Sequence, residues 1–339
     1  MNGGALKKAN IALFVPLNGC PHRCSFCDQR IITGKAYQPT EEDVHNAVKT
    51  ALSSSRRYNY EIAFFGGSFT AIDRNYMIKL LGAAYQYVKS GDVSGIRIST
   101  RPDAIDENVL DVLKSYGVTS IELGAQSMND GVLEKNGRGH DAQAVVLASQ
   151  MIKRRGFSLG LQMMTGLCGS NAALDEYTAD KIIELSPDTV RIYPTVTLKG
   201  TRLEKLYESG EYNPMTLSES VNLCALLLDK FSKHNIEVIR LGLHYSEQLE
   251  KDIVYDNYHP AFRELCESKL MFDKFMEVCN KRDIDKSGNI TVWVNPSCVS
   301  KFIGQKRANI LKLEEMGYNV NVKSEQSVLP LEIKLSVES

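Results

Sequence analysis

Ile11-Ala-Leu-Phe-Val15, a short β-rich run, leads into Cys20-Pro-His-Arg-Cys24-Ser-Phe-Cys27. Three of the chain's 8 cysteines crowd into this loop; Cys168, Cys224, Cys266, Cys279 and Cys298 are scattered. Short spacing lets one loop wrap three thiolates around a single metal centre. A structural zinc normally takes four protein ligands. Three cysteines with no obvious fourth therefore suit an iron–sulfur cubane whose fourth iron is left open. A zinc site completed by His22 or Asp28 is the competing reading. Cys224 shares an apolar helical stripe with Leu217, Val221, Ala225 and Leu228, and reads as a core residue. Cys266 and Cys279 read the same way, and Cys168 follows a strand.

Outward from that loop, strand and helix patterns alternate. Glu41–Leu52 reads as a helix, with Thr40 as N-cap and Asp43 three residues on. Glu61–Phe65 is the second strand, followed by Gly66-Gly67-Ser68 and a helix from Asp73 to Lys89. Gly95–Thr100, Val118–Leu123, Ser158–Met163 and Thr189–Tyr193 are further strands. Helices at Asp106–Ser115, Asp141–Arg154, Ala172–Leu185 and Leu217–Lys233 follow them in turn. Ile236–Leu241 reads as one more strand. Such alternation implies an α/β fold with a parallel sheet and right-handed crossovers. In (β/α) barrels chemistry gathers at the C-terminal ends of the strands. The cysteine loop, Gly66–Ser68, Arg101 and Gln126 all fall at such ends, which points to one shared site.

At roughly 150 residues per domain, 339 residues suggest about two domains. Hydrophobic residues make up 43% and charged residues 24%, ordinary for a soluble globular protein. With 40 basic against 41 acidic residues the net charge is -1, which excludes a histone-like coat of positive charge. The longest apolar runs, such as Ile11–Leu17, fall well short of the ~20 residues of a membrane helix. Lys7 and Lys8 precede only a short apolar stretch, so no secretory signal is expected. A reducing, cytoplasmic setting follows, where cysteines serve as ligands, catalysts or core rather than disulfides.

The C-x3-C-x2-C pattern, with Phe26 before the last cysteine, resembles the radical S-adenosylmethionine (radical SAM) enzymes. The resemblance implies an open six-unit (β/α) barrel, a 4Fe-4S cluster on Cys20, Cys24 and Cys27, and S-adenosylmethionine on its open iron. It implies further that Phe26 packs near the adenine and that Gly66, Gly67 and Ser68 take the methionine ammonium. Glu122, Gln126 and Gln162 would bond ribose hydroxyls, and Arg138 would meet the carboxylate. Polar residues in apolar strands are costly unless paired, so a structural hydrogen-bond network is the other account of them. Gly66-Gly-Ser-Phe-Thr70, Thr100-Arg-Pro-Asp103, Glu122-Leu-Gly-Ala-Gln-Ser127, Gly137-Arg-Gly-His140 and Arg191-Ile-Tyr-Pro-Thr195 with Lys199-Gly-Thr201 are similar to the radical SAM domain of the Elongator catalytic subunit, over roughly residues 10–245. That family modifies the wobble uridine of transfer RNA, which makes Arg101, Tyr193 and Lys199 candidates for substrate contacts. Its first two cysteines are spaced more widely, and residues 246–339 are too few for its acetyltransferase domain.

The expected division is a radical SAM barrel at 1–245, a helical connector at 246–285 and an α+β domain at 286–339. The last resembles a KH-type RNA-binding fold in its order strand, helix, loop, helix, strand. Gly304 begins its loop, although Arg307 replaces the second glycine of the GxxG clamp. Lys301, Lys306, Arg307 and Lys312 would contact phosphates. Three functions stay open: a radical SAM enzyme acting on transfer RNA or another RNA, one acting on a small metabolite, and a non-enzymatic RNA-binding protein with a structural metal. The first two would take an electron from a donor such as ferredoxin or flavodoxin.

Overall fold

The computed structural model describes residues 7–16, 20, 24–28, 37–55, 58–284 and 288–338; His22 lies outside them. Seven strands pair in chain order and all in parallel: β1 (Lys8–Val15), β2 (Asn59–Gly66), β3 (Ile96–Thr100), β4 (Val118–Gln126), β5 (Ser158–Thr165), β6 (Thr189–Pro194) and β7 (Glu237–Leu241). The seventh is the additional strand expected at Ile236–Leu241. Because β7 does not pair with β1, the sheet is an open, partial barrel of the expected α/β class.

The helices between the strands start where short polar side chains can take the free backbone N–H groups. Thr40 and Asp43 form a reciprocal capping box, while Asp73, Asp106, Asp141 and Asn171 each accept from the amide three residues on. Side chains along each strand alternate between two faces. On one face Ile62, Phe64, Ile98, Ile121, Leu161 and Ile192 are fully buried or nearly so. Phe64 stacks on Phe69 with ring centroids 4.7 Å apart. The other face looks into the barrel and is largely polar.

The chain forms two compact units, and the division differs from the expected one. The barrel unit runs to Pro214 and resumes at Asn235–Asp256; the second unit holds Met215–His234 and everything from Asn257 onward. Helix Leu217–Lys233, expected over the barrel, packs instead against helix Phe262–Arg282 of the second unit. Their buried faces meet where Cys224 hydrogen-bonds Cys266. The expected connector is therefore part of a core: Met271, Phe275 and Cys279 are buried with Ile290, Val292, Val294 and Phe302. Cys168, Cys224, Cys266, Cys279 and Cys298 are all buried.

The second unit carries a mixed three-stranded sheet. Central β8 (Asn289–Val294) pairs in parallel with β9 (Asn319–Ser324) and antiparallel with β10 (Ile333–Glu338). Between β8 and β9 lie helix Val299–Ile303, the Gln305–Arg307 turn and helix Ala308–Glu315, the order expected of this region.

Phe64→Ala removes a fully buried ring from the layer under the helices. A loss of about 3–5 kcal/mol is expected, read as a lower denaturant midpoint in equilibrium unfolding.

Candidate active site

Within the barrel, one charged layer links neighbouring strands. The Glu122 carboxylate, 1% exposed, accepts two bonds from Arg191 (Nε 2.6 Å, Nη2 2.9 Å), one from Arg97 Nη1 (3.1 Å) and one from Gln162 Nε2 (2.9 Å). Arg97 Nε also donates to Glu61 at 2.8 Å, and Gln162 donates to Ser99 Oγ at 3.0 Å. The Arg191 guanidinium lies over the Phe65 ring, 4.9 Å from its centroid. Burial pushes the Glu122 carboxyl up, but the hydrogen bonds and charge of Arg191, with Arg97 and Gln162, outweigh it and hold the group below its ordinary value. Both oxygens are committed, so Glu122 is not the ribose ligand expected of it but the centre of a structural network.

The cysteine loop lies at the C-terminal ends of the strands, tied down from across the barrel unit. Buried Asn136 accepts from Ser25 N (3.0 Å, through its carbonyl) and from Ser25 Oγ (2.6 Å, through Oδ1). Its Nδ2 donates to the carbonyls of Val132 and Cys168, at 2.8 and 2.9 Å. Sequence reading passed over Asn136; its place before Gly137-Arg-Gly-His140 is the only signal. Arg138 Nη1 donates to Cys24 Sγ at 3.0 Å and Nη2 to the Gly124 carbonyl at 2.6 Å. Arg138 is thus turned to the cysteine loop, and its buried Nε has no partner among the described residues. Cys20 Sγ lies 3.5 Å from Ser68 Oγ. Burial pushes the Cys27 thiol up to about 12, helped by Cys24 and Cys20, with Arg138 opposing. Crowded thiols of this kind lose their protons readily only against a strongly positive centre. In the arrangement described, no group of three or more His, Cys, Asp or Glu stands close enough to hold a metal ion, among the described residues.

A cavity of about 820 Å³ opens above and beside the charged layer. Of the residues singled out from sequence, Phe26, Cys27, Gly66, Gln126, Gln162 and Tyr193 line it. Gln126 ends β4 at a register shift, in the left-handed conformation (φ 67°). A non-glycine residue there costs about 1–3 kcal/mol and marks a functional constraint. Its buried Oε1 has no partner among the described residues. A Cβ at Gly66 (φ 110°) would sit 3.1 Å from the Val15 carbonyl, so only glycine brings the backbone this close. Gly67 N donates to that carbonyl at 2.8 Å, and the Ser68 carbonyl accepts from Ala71 N at 2.9 Å.

Two expected substrate contacts lie elsewhere. Buried Arg101 bonds Asp103 through Nε and the Arg138 carbonyl through Nη2 (2.9 Å), which makes it a support for the Arg138 loop. Lys199 Nζ donates to the Lys251 carbonyl at 3.1 Å and does not line the cavity. Arg97 and Arg191, which do line it, were not singled out. In the second unit, Lys301 is spent on buried Glu267 (2.8 Å) and Lys312 lies over the Phe272 ring (4.6 Å). Lys306 and Arg307 sit on the turn after Gly304 at positive φ (50° and 65°), and Arg307 makes an exposed ion pair to Glu314.

A parallel partial barrel with a three-cysteine loop at its strand ends defines a radical SAM enzyme. The model of the radical SAM superfamily matches residues 14–182, and that of the radical SAM C-terminal domain matches residues 187–271. The chain belongs to this superfamily, whose members use a 4Fe-4S cluster and S-adenosylmethionine. It is 29% identical over 229 residues to an uncharacterized protein of Methanocaldococcus jannaschii, covering 64% of this chain and 70% of the relative. It is 28% identical over 259 residues to the tRNA uridine(34) acetyltransferase of the same organism, covering 63% of this chain and 47% of that protein. The chain thus spans about half the length of the acetyltransferase. The structure of archaeal Elp3 from Methanocaldococcus infernus with an N-terminal deletion superposes with a TM-score of 0.62 at 19% identity, over 83% of this chain and 65% of that one, and shares its fold.

Glu122→Gln leaves Arg191 without its countercharge and Arg97 with Glu61 alone. A loss of roughly 3–5 kcal/mol is expected, seen as a lower thermal midpoint. Because the folded-state value of Glu122 is lowered, its stabilisation is present above the ordinary carboxylate range and lost as pH falls through the lowered value. The variant's midpoint is expected to fall less steeply on acidification. Asn136→Ala removes the side-chain ties of the cysteine loop and keeps the backbone bond from Ser25 N, and reduced iron retention after anaerobic reconstitution is expected by metal analysis.

Proposed function

We propose that this chain holds a 4Fe-4S cluster on Cys20, Cys24 and Cys27, cleaves S-adenosylmethionine beside it, and modifies a uridine of transfer RNA at the wobble position. One observation carries the radical reading: Cys27 and Phe26 from the cysteine loop share a cavity with Gln126, whose buried carbonyl oxygen is partnerless among the described residues. That is a donor set and an acceptor awaiting a ligand with hydroxyl or N–H groups. When bound, the cluster and S-adenosylmethionine supply a 5′-deoxyadenosyl radical.

This chain's residues do the positioning. Arg138 donates to Cys24 Sγ and offsets the charge of the crowded thiolates. Gln126 accepts from a ribose hydroxyl, Phe26 packs on the base, and Gly66 lets the ligand approach the backbone. Tyr193, at the end of β6, faces the same cavity and contacts the substrate. A donor of the ferredoxin or flavodoxin class supplies the electron.

The RNA half of the reading is supported by the likeness to the tRNA uridine(34) acetyltransferase and by the KH-like order of the second unit. There Gly304, Lys306 and Arg307 present two cations on one exposed turn, suited to phosphate contacts. The curated relative's acetyl transfer belongs to a protein of which this chain spans half.

Anaerobic reconstitution should give about four irons per chain and release 5′-deoxyadenosine from S-adenosylmethionine under a strong reductant. Cys20→Ala, Cys24→Ala and Cys27→Ala should each abolish that release while the chain stays folded by circular dichroism. Release that survives these substitutions would refute the site. Total transfer RNA from cells lacking the chain, analysed for modified nucleosides, should lack one wobble-uridine derivative; an unchanged profile refutes the substrate.

A further inference from the structure

The outer face of the small sheet carries a pattern that neither the barrel cavity nor the Gly304 turn uses. Ile290, Val292 and Val294 of β8 enter the core, so Asn289, Thr291 and Trp293 face the other way. Pairing sets rows across the three strands. Lys334, Trp293 and Lys323 form one, and Ser336, Thr291 and Asn321 the next, in which Ser336 and Asn321 are exposed and Thr291 is buried. In the third, Asn319 Nδ2 donates to Asn289 Oδ1 at 2.6 Å. Trp293 is the chain's only tryptophan, partly exposed, and the one apolar side chain in these rows. Lys323 Nζ lies over its ring, 5.5 Å from the centroid. Lys334, on the opposite side, is 66% exposed and among the described residues meets only the Glu325 carboxylate, at 3.5 Å, an exposed pair of little strength.

An indole with one lysine over its ring and a second in the same row, bordered by the exposed Ser336 hydroxyl and Asn321 amide, matches the chemistry of a single-stranded nucleic acid. Bases stack on aromatic rings whatever their identity, and lysines neutralise the phosphates on either side. An acidic peptide would satisfy the lysines but leave the ring without a stacking partner. We propose that the outer face of β8, β9 and β10 is a platform for a single-stranded RNA segment, with one base stacked on Trp293 and the flanking phosphates held by Lys323 and Lys334. The choice of RNA as occupant rests on the function proposed above; the platform itself rests on the register.

Because Trp293 is the only tryptophan, the full chain's indole fluorescence reports this site alone. Titration with a fluorescein-labelled oligouridylate at low salt should quench that emission in step with the rise in the label's anisotropy. Trp293→Ala should weaken binding roughly 5- to 150-fold by anisotropy. Lys323→Ala and Lys334→Ala should each lower the slope of log affinity against log salt by about 0.7. The pair Lys306→Ala and Arg307→Ala should leave the quench at saturation intact. Binding by anisotropy with unchanged indole emission places the RNA elsewhere and overturns the platform while leaving the RNA reading standing. Absence of binding overturns both, and equal quenching by polyglutamate overturns the choice of occupant. None of these results bears on 5′-deoxyadenosine release, which tests the radical site separately.

Discussion

The buried carboxylate of Glu122 is the contact on which the barrel depends. Arg97 and Arg191 both lie in its interior, 11% and 10% exposed, and either alone would be a costly buried charge. Glu122 stands between them and meets both, with Gln162 filling its remaining valence. Glu61 and Ser99 extend the contacts, so that β2 through β6 are cross-linked by side chains as well as by backbone bonds. A closed (β/α) barrel fills its interior with apolar layers. Here the sheet is open between β1 and β7, and a polar layer takes over the bracing while its outer face keeps the apolar packing.

That bracing sets where chemistry can occur. The strand ends are held level, and the loops leaving them carry Cys27, Gly66, Gln126 and Tyr193 to one cavity. The cysteine loop is held by a second buried amide, Asn136, whose contacts join it to the Val132 and Cys168 carbonyls. Arg101 grips the Arg138 carbonyl, and Arg138 reaches Cys24. A cation is thereby delivered to the cysteine loop by a chain of contacts that starts at the end of β3.

Much of this was legible before the structure. Alternation of strand and helix, the Thr and Asp caps, and the clustering of odd motifs at strand ends are local properties, written at fixed spacing. Partner identity is not. Glu122 reads equally well as a ligand to ribose or as the hub of a network, because Arg97 and Arg191 are distant in sequence and join it only through strand register. Lys301 looked free for phosphate because its partner, Glu267, stands on the preceding helix. The most consequential misplacement was helix Leu217–Lys233. Its apolar stripe, including Cys224, would cover a barrel strand or another helix equally well, and chain order favoured the barrel. The structure instead interleaves the segments, and Cys266 marks the surface it covers.

The two kinds of residue differ in what they determine. The Glu122 layer serves any radical SAM reaction, since it holds a shape, and the cysteine loop and Gly66 do so in the proposed reading, where they hold the cofactor. Nothing in them selects a substrate. Among the residues facing the cavity, Tyr193 stands at the edge of the bracing, hydrogen-bonded to Arg191, and is the contact proposed for the substrate. On the platform proposed above, Trp293 joins it from the outer face of a sheet whose inner face already packs, with Lys323 over its ring.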